Sequence, residues 1–328
     1  MLMTICLGIE STAHTFGVGI ASSEGKILAN PRDMYKPEKG GIKPSEAGEH
    51  HSSLAAGLIQ KALEEAKLSA QDIDIVAFSQ GPGIPQCLRI GAAAARALSL
   101  KLNKPLVGVN HAVAHIEIGK LATGSKDPLV LYVSGGNTQI LAEISGRYRI
   151  LGETQDIALG NCLDQFAREL GIPHPGGPRI EELANKGKWI ELPYVVKGMD
   201  VSFSGILSEA VRLLKNGAKK EDLAFSMQET CFSMLTEVTE RALAHAGKKE
   251  ILLVGGVAAN KRFREMLDIM AAERGAKTFL VPMEYATDCG ANIAWTGVLV
   301  WNGSGKTKLE ESKINRFWRA DEVNVTWL

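Results

Sequence analysis

Short apolar runs separated by small polar turns fill the start of the chain: TICLGIE, HTFGVGIAS and GKILANPRD, within residues 4–35. They predict three strands, joined by the turn Ser11-Thr12 and the hairpin-like Ser22-Ser23-Glu24-Gly25. The apolar period then lengthens. Leu54, Leu58, Ala62 and Ala66 recur on one face of a predicted helix ending near Leu68, with Ser45, after Pro44, as its expected N-cap. Next come DIVAFSQGPG as strand and glycine turn, an Ala-rich helix near 88–102, the strand PLVGVN and a helix bearing two histidines. The order is βββ followed by αβαβα.

That order returns in the second half. PLVLYVSGGNTQILAEISGRYRILGETQD lies on CLGIESTAHTFGVGIASSEGKILANPRD as strand, turn, strand, hairpin, strand. Helices near 161–170 and 221–246, the strand EILLVGGVAAN, a helix near 261–274, the strand TFLVP and a last helix from about 288 follow. Between the first two of those helices, residues 171–220 are rich in Gly and Pro and read as an insertion or lid, since long loops tend to be functional. The chain then divides into an N-terminal lobe, 1–127, and a C-terminal lobe, 128–328, the latter with this insertion and a tail from about 306 to 328. A duplicated βββαβαβα unit is the layout of the actin-like, Hsp70-ATPase (ribonuclease H-like) α/β fold, in which nucleotide binds in a cleft between two lobes. Fold alone does not give function. The repeat does set TDCGANIAW where the first copy has its histidine helix, so a carboxylate from the opposite lobe, Asp288, could complete a mixed N/O metal site.

Composition narrows the partners. Among 328 residues, Lys+Arg number 37 and Asp+Glu 37, so the whole-protein field exerts no strong pull on nucleic acid or anionic membranes. A polynucleotide substrate would need a local patch or a partner chain. The five cysteines, Cys6, Cys87, Cys162, Cys231 and Cys289, have no C-x-x-C spacing and are odd in number, which predicts a reducing cytoplasm. MLMTICLGIE has no basic n-region and reads as a first strand, and no run approaches the roughly 18 apolar residues of a membrane span.

Candidate chemistry begins at GVNHAVAHIEIG. His111 and His115 stand four apart, which puts two imidazoles on one helix face; the same spacing also suits two residues that cap and line a helix. Ala112 occupies the place where the zinc-protease signature needs its glutamate base. SGGNTQ (134–139) offers a nest of backbone N–H groups for phosphate, or simply a tight turn. VGGVAAN (254–260) is a second strand-end Gly-Gly, so the two lobes are expected to carry phosphate-capable turns at matching strand ends. Asn260 reads as a base or ribose contact or as an N-cap. Gly177 and Glu181 in HPGGPRIEELA, and Asp164 in NCLDQFARE, read as sugar contacts or as solvated helix residues. His50-His51 are adjacent on a helix, point to different faces and read as packing or outer-shell groups. Glu10 and His14, at and beyond the end of the first strand, are candidate catalytic groups, with strand-end turn chemistry as the alternative.

GIESTAHTFGVGI, KPSEAGEHH, GPGIPQCLRIGAAAARALS, GVNHAVAHIE, YVSGGNTQI, HPGGPRIEELA, MDVSFSGI, GGVAANKRFREM and TDCGANIAW together, in order along nearly the whole chain, resemble one family. It is the tRNA threonylcarbamoyladenosine synthase family in its archaeal and eukaryotic form, the catalytic subunit of the KEOPS complex, formerly assigned as an O-sialoglycoprotein endopeptidase. AHTFGVGI and NRFWRADEVNVTW give it an archaeal look. The resemblance implies metal ligands at His111, His115, Tyr132 and Asp288, with iron or zinc as the ion. It implies nucleotide contacts at Tyr132, Val133, Ser134, Gly135, Gly136, Asp164, Gly177, Glu181 and Asn260. Ser11 stands where archaeal members often have Gly, and Cys289 where Asn usually follows the metal-binding Asp, which bears on ion preference because thiolate is soft. The implied reaction takes threonylcarbamoyl-AMP, supplied by a separate synthase, and transfers its acyl group to tRNA with release of AMP. Implied partners are tRNA and the KEOPS subunits, including a small atypical kinase as a separate chain.

Three rival functions are set apart by chemistry. A small-molecule kinase on the same fold would want a catalytic carboxylate and Mg²⁺, whereas an imidazole pair favours a transition metal. A metalloprotease would need the glutamate that Ala112 replaces. A non-catalytic ATP-dependent scaffold would bind nucleotide and transfer nothing.

Overall fold

A computed structural model describes residues 3–37 and 41–327. Met1 and Leu2 of the expected first-strand segment, and Leu328 of the expected tail, lie outside the described residues.

The first half forms β1 (Ile5–Glu10), β2 (Thr15–Ser22), β3 (Ile27–Ala29), β4 (Arg32–Met34), α1 (Pro44–Ala66), β5 (Ile75–Gly81), α2 (Pro85–Leu102), β6 (Leu106–Asn110) and α3 (His111–Thr123). The second forms β7 (Leu129–Val133), β8 (Thr138–Ile144), β9 (Arg147–Glu153), α4 (Leu159–Glu169), α5 (Gly177–Ala184), β10 (Val196–Lys197), β11 (Asp200–Val201), α6 (Ser204–Lys215), α7 (Lys220–Ala246), β12 (Glu250–Val254), α8 (Lys261–Glu273), β13 (Lys277–Leu280), α9 (Met283–Ala286) and α10 (Gly290–Ser304). Their sheets run β3-β2-β1-β5-β6, with β4 also on β2, and β9-β8-β7-β12-β13. With β4 and the separate β10-β11 pair set aside, both read 3-2-1-4-5 in chain order, so the duplication seen in the sequence is a duplication of topology. Local chemistry corrects one boundary: α1 starts with Pro44 at its first position and Lys43, not Ser45, as N-cap. Proline there has φ already set and no N–H to leave unsatisfied.

Contacts divide the chain into one unit of residues 1–122, 145–148 and 287–328, and another of 123–144 and 149–286. This departs from a division at 127/128, and the reason lies in close packing. Helix α10, from the end of the chain, lies on β1 and β2. A Cβ at Gly8 would fall 2.2 Å from the Ala294 nitrogen, and one at Gly19 would fall 2.2 Å from the Ala291 nitrogen. Gly8 and Gly19 are register partners across β1 and β2, so helix backbone meets strand backbone with no side chain between them. The tail follows α10 into the same unit. Gln80 Nε2 donates to the carbonyls of Glu311 (2.8 Å) and Lys313 (2.7 Å), and Asn110 Nδ2 donates to that of Trp318 (3.1 Å).

The first unit's sheet is covered on one face by α1 and α2, through Leu58, Ala62, Ala92 and Ala95, and on the other by Ala114, Ile293 and Val298 of α3 and α10. In the second unit, residues 171–220 are built into the core, because Ile180, Leu192, Val201, Phe203 and Ile206 join the buried cluster under the sheet. Among the described residues no helix is long and apolar enough to cross a membrane.

Candidate metal centre and glycine turns

Strand β6 ends in Asn110, whose Oδ1 accepts from the backbone nitrogens of Ala112 (3.0 Å) and Val113 (3.1 Å), as an N-cap does. This fixes the first turn of α3, and with it His111 and His115. Their rings meet edge to face with centroids 4.6 Å apart. Asp288 Oδ1 lies 3.2 Å from His115 Nε2 and 3.5 Å from His111 Nε2. One donor atom from each of the three residues lies within 4.8 Å of the others. Asp288 does come from the second repeat, as its symmetry predicts, but it packs in the same unit as the histidines and not in the opposite one, because α10 carries it there. Its side chain keeps 19% exposure and that of His111 10%, against 1% for that of His115, so what access the cluster has is on the side of Asp288 and His111.

Glu10 closes the inner side. It is buried, Oε2 stands 3.0 Å from His111 Nδ1, and Oε1 accepts from both the backbone nitrogen (2.6 Å) and the hydroxyl (2.5 Å) of Thr12. Burial opposes a charge on His111, yet the Glu10 and Asp288 carboxylates push it up to about 9. His115 is held below its ordinary value, chiefly by burial. Burial would raise Asp288, but the charge on His111 and the hydrogen bond to His115 keep it well below the usual carboxylate range. The two carboxylates thus favour the charged form of His111, whereas burial favours the neutral ring of His115. Two ring nitrogens and a carboxylate oxygen, with a carboxylate behind one ring, are a donor set suited to a divalent transition ion, so the residues present fit such an ion. Cys289 is buried, which pushes its thiol up, and it donates to Asn292 Oδ1 at 3.0 Å. His14 is half-buried beyond Glu10. His51 is buried against the Ala13 carbonyl at 3.0 Å, and His50 sits 2.9 Å from Asp33, so the adjacent pair serves packing at the rim of the strand-end loop.

The expected nucleotide residues all lie in the other unit. Tyr132, which the resemblance also implies as a metal ligand, is buried in β7 of this unit and not in the unit of His111, His115 and Asp288, and with Val133 it leads into the turn at Ser134. Ser134 Oγ accepts from the backbone nitrogens of Asn137 (3.0 Å) and Gly136 (3.3 Å), so those amides close on the serine and do not splay outward as a bare nest would. Gly135 and Gly136 have open space where a side chain would be. The second glycine turn belongs to this same unit, a correction to the expectation of one per lobe. Strands β7 and β12 are parallel neighbours, with Val254 opposite Tyr132, so both turns leave the same end of two adjacent interior strands. Gly255 (φ +96°) has its absent Cβ position 2.3 Å from the Val133 carbonyl, and no other residue fits there.

Asn260 caps α8 through Phe263 N (3.1 Å) and donates to Gln228 Oε1 (2.9 Å). Glu181 Oε1 accepts from Lys261 N (2.8 Å), so both candidates meet at the start of α8. Asp164 is bound to the neighbouring loop, by Gly176 N (2.7 Å) and His174 Nδ1 (3.0 Å), just before Gly177 opens α5. Thr12, Asn110 and Asn292, which support the histidines, and Asp156, which accepts from Phe203 N and from the amide and hydroxyl of Ser204, were not visible as site residues in the sequence. Only Asn110 left a signal, as a capping residue at a strand-to-helix junction.

The profile of the tRNA N6-adenosine threonylcarbamoyltransferase family matches residues 26–295. A protein of that name from Thermococcus kodakarensis is 58% identical over 325 residues, covering 98% of this chain and 99% of its own. A Methanobrevibacter smithii protein, described as a probable bifunctional tRNA threonylcarbamoyladenosine biosynthesis protein, is 55% identical over all of this chain, which spans 61% of it. Among solved structures, T. kodakarensis HypF aligns with a TM-score of 0.64 at 16% identity, over 91% of this chain and 48% of that one. Component A of Acidaminococcus fermentans (R)-2-hydroxyglutaryl-CoA dehydratase gives 0.54 at 15%, over 90% and 98%. At such identities the likeness is one of fold, and it bears out the duplicated actin-like α/β architecture.

Proposed function

Because the chain belongs to the tRNA N6-adenosine threonylcarbamoyltransferase family, we propose that it acts as that transferase on one defined donor and one defined acceptor. The donor is threonylcarbamoyl-AMP, made by a separate synthase. The acceptor is the adenine amine next to the anticodon in tRNAs that read codons beginning with A. The amine nitrogen attacks the carbamoyl carbonyl carbon, the bond from that carbon to the phosphate oxygen breaks, AMP leaves and the amine gives up a proton.

The observation that carries this reading is the convergence of His111, His115 and Asp288 over the Glu10 carboxylate. An iron or zinc ion held by those three residues would supply Lewis-acid and templating chemistry for the threonylcarbamoyl group. Glu10 Oε1 accepts from Thr12 and Oε2 faces His111, so its part is to orient His111, and His14, four residues on and half-buried, is the proposed acceptor of the amine proton. In the other unit, the Ser134–Gly136 turn, where Gly135 and Gly136 leave open space, takes the adenylate phosphate, and Asp164, Gly177, Glu181 and Asn260 serve the nucleoside. With 37 basic and 37 acidic residues the chain has no general attraction for tRNA, so KEOPS subunits, the small atypical kinase among them, help to hold it. The relative described as bifunctional, which is longer than this chain, supports a working unit larger than this chain alone.

Transfer of radiolabelled threonine to tRNA, in a mixture with the adenylate-forming enzyme and partner subunits, tests the proposal. The parent chain should label tRNA and the double variant His111→Ala/His115→Ala should not. Equal labelling by both would end the metal-site mechanism.

A further inference from the structure

The two histidines are supported in different ways. His111 Nδ1 faces a carboxylate, whereas His115 Nδ1 lies 3.2 Å from the side-chain nitrogen of Asn292, a buried residue in the first turn of α10. The other end of that amide, Oδ1, receives the Cys289 thiol at 3.0 Å. Residues 289 and 292 are three apart, so the start of one helix presents both to the same side. That start is itself anchored, because a Cβ on Gly290 would fall 2.1 Å from the Gly19 nitrogen.

The nitrogen of His115 turned toward Asp288 is Nε2. To ligate through Nε2 the ring must be neutral with its proton on Nδ1, and a buried N–H needs an acceptor. A primary amide can supply one, since its oxygen and nitrogen ends have nearly the same shape and the side chain can turn over. Oδ1 would then receive the His115 proton, and Nδ2 would face Cys289. A thiol suits either arrangement, because sulfur is a weak acceptor as well as a weak donor. An aliphatic residue at 292 would offer no acceptor, and a carboxylate would add another buried anion beside Asp288.

We propose that Asn292, backed by Cys289, is the positioning residue that sets the proton of His115, and that Cys289 belongs to this outer support and is not a ligand. The proposal rests on the metal reading above. It gives the thiol next to Asp288 a task that leaves the donor set at two nitrogens and an oxygen, and so keeps the site on the harder side of ion preference.

The test uses the full chain with zinc and cobalt(II) as probes. Zinc affinity is measured by competition with a chromophoric chelator, and unfolding without metal is followed in parallel. Asn292→Leu, close in shape but unable to accept, should weaken zinc about 10- to 100-fold, the usual effect of removing a ligand's hydrogen-bond partner. Cys289→Ser should bind zinc as the parent does, because a hydroxyl also donates and accepts. The cobalt form of the parent should lack a thiolate charge-transfer band, and Cys289→Ser should leave its spectrum unchanged. Parent zinc affinity in Asn292→Leu, or a thiolate band lost in Cys289→Ser, would overturn the proposal. If Asn292→Leu does not fold, Cys289→Ala takes its place: a several-fold loss of zinc affinity supports the outer pair, and no loss rejects it. The His111→Ala/His115→Ala variant separates the two levels. Zinc bound as tightly as by the parent rejects the metal reading itself. Zinc lost there but kept in Asn292→Leu rejects only the role of Asn292.

Discussion

Gly19→Ala asks whether the seat of α10 on the first sheet places Asp288 against the histidines. The new Cβ would stand 2.2 Å from the Ala291 nitrogen and 2.2 Å from the Gly290 carbonyl carbon, both backbone atoms that no side-chain rotation can move. Ordinary contact needs roughly 3.4 Å or more, so the start of α10 must retreat by about 1 Å. Asp288 lies two residues before Gly290, and its Oδ1 reaches the two Nε2 atoms at 3.2 and 3.5 Å, with little slack for such a shift. Overpacking of this kind costs about 1–3 kcal/mol. At about 2–4 °C per kcal/mol for a unit of this size, the unfolding midpoint should fall by about 2–12 °C. Zinc affinity should fall by about tenfold or more, in line with the loss expected when a metal site's support is disturbed. Circular dichroism melts without metal and a zinc competition titration read the two effects on one preparation. A variant with the parent midpoint and the parent zinc affinity would refute the reasoning. Gly57→Ala is the matched control: it lies in α1 with nothing within 4 Å of its Cβ position, and should raise the midpoint through helix propensity.

Three further outcomes are expected. Burial holds His51 down to about 4, whereas the unfolded ring titrates near 6.5, so the unfolded chain binds more protons between those values. Stability should therefore fall as pH drops from about 6.5 to 4, by at most about 3–4 kcal/mol at 1.36 kcal/mol per unit. His51→Gln should flatten that limb of the pH profile, and equal slopes in parent and variant would reject the assignment. Glu10→Gln keeps an acceptor for His111 but removes the charge, so the His111 titration followed by NMR should move down from about 9; an unmoved titration would show that Glu10 does not set it. Asp156→Ala deprives the start of α6 of its cap, and amide exchange at Phe203 and Ser204 should quicken by about tenfold or more, given about 1.5–3 kcal/mol per charged hydrogen bond. Unchanged exchange there would mean that the turn holds without it.

Much of the fold was legible because its cause is local. Alternation and apolar runs found the strands of both sheets except the short, exposed β4, which the expected third strand did not separate from β3, and their return in the second half found the duplication. The spacing of His111 and His115 is likewise local, and it survives folding as two rings at 4.6 Å. The start of α1 differs by two positions: Ser45 suits an N-cap, while proline's fixed φ at Pro44 puts the cap at Lys43.

Local patterning along the chain held an inventory: two copies of one strand-and-helix unit, a histidine pair, an acidic counterpart and two glycine turns. Tertiary structure alone decided which of these share a body. Asp288 joins the histidines within one unit because Gly8, Gly19 and Gly290 let a helix and two strands from opposite ends of the chain touch backbone to backbone. The glycines were in plain view, and glycine inside a strand often marks such an approach, but nothing local says what approaches. The two glycine turns, expected on separate lobes, share one end of one sheet because β7 and β12 pair in parallel across more than a hundred residues of intervening chain. Periodicity is a property of neighbours in sequence, whereas backbone approach and strand pairing depend on distant segments, and so only the folded chain could show Glu10 and Asn292 standing behind the two histidines.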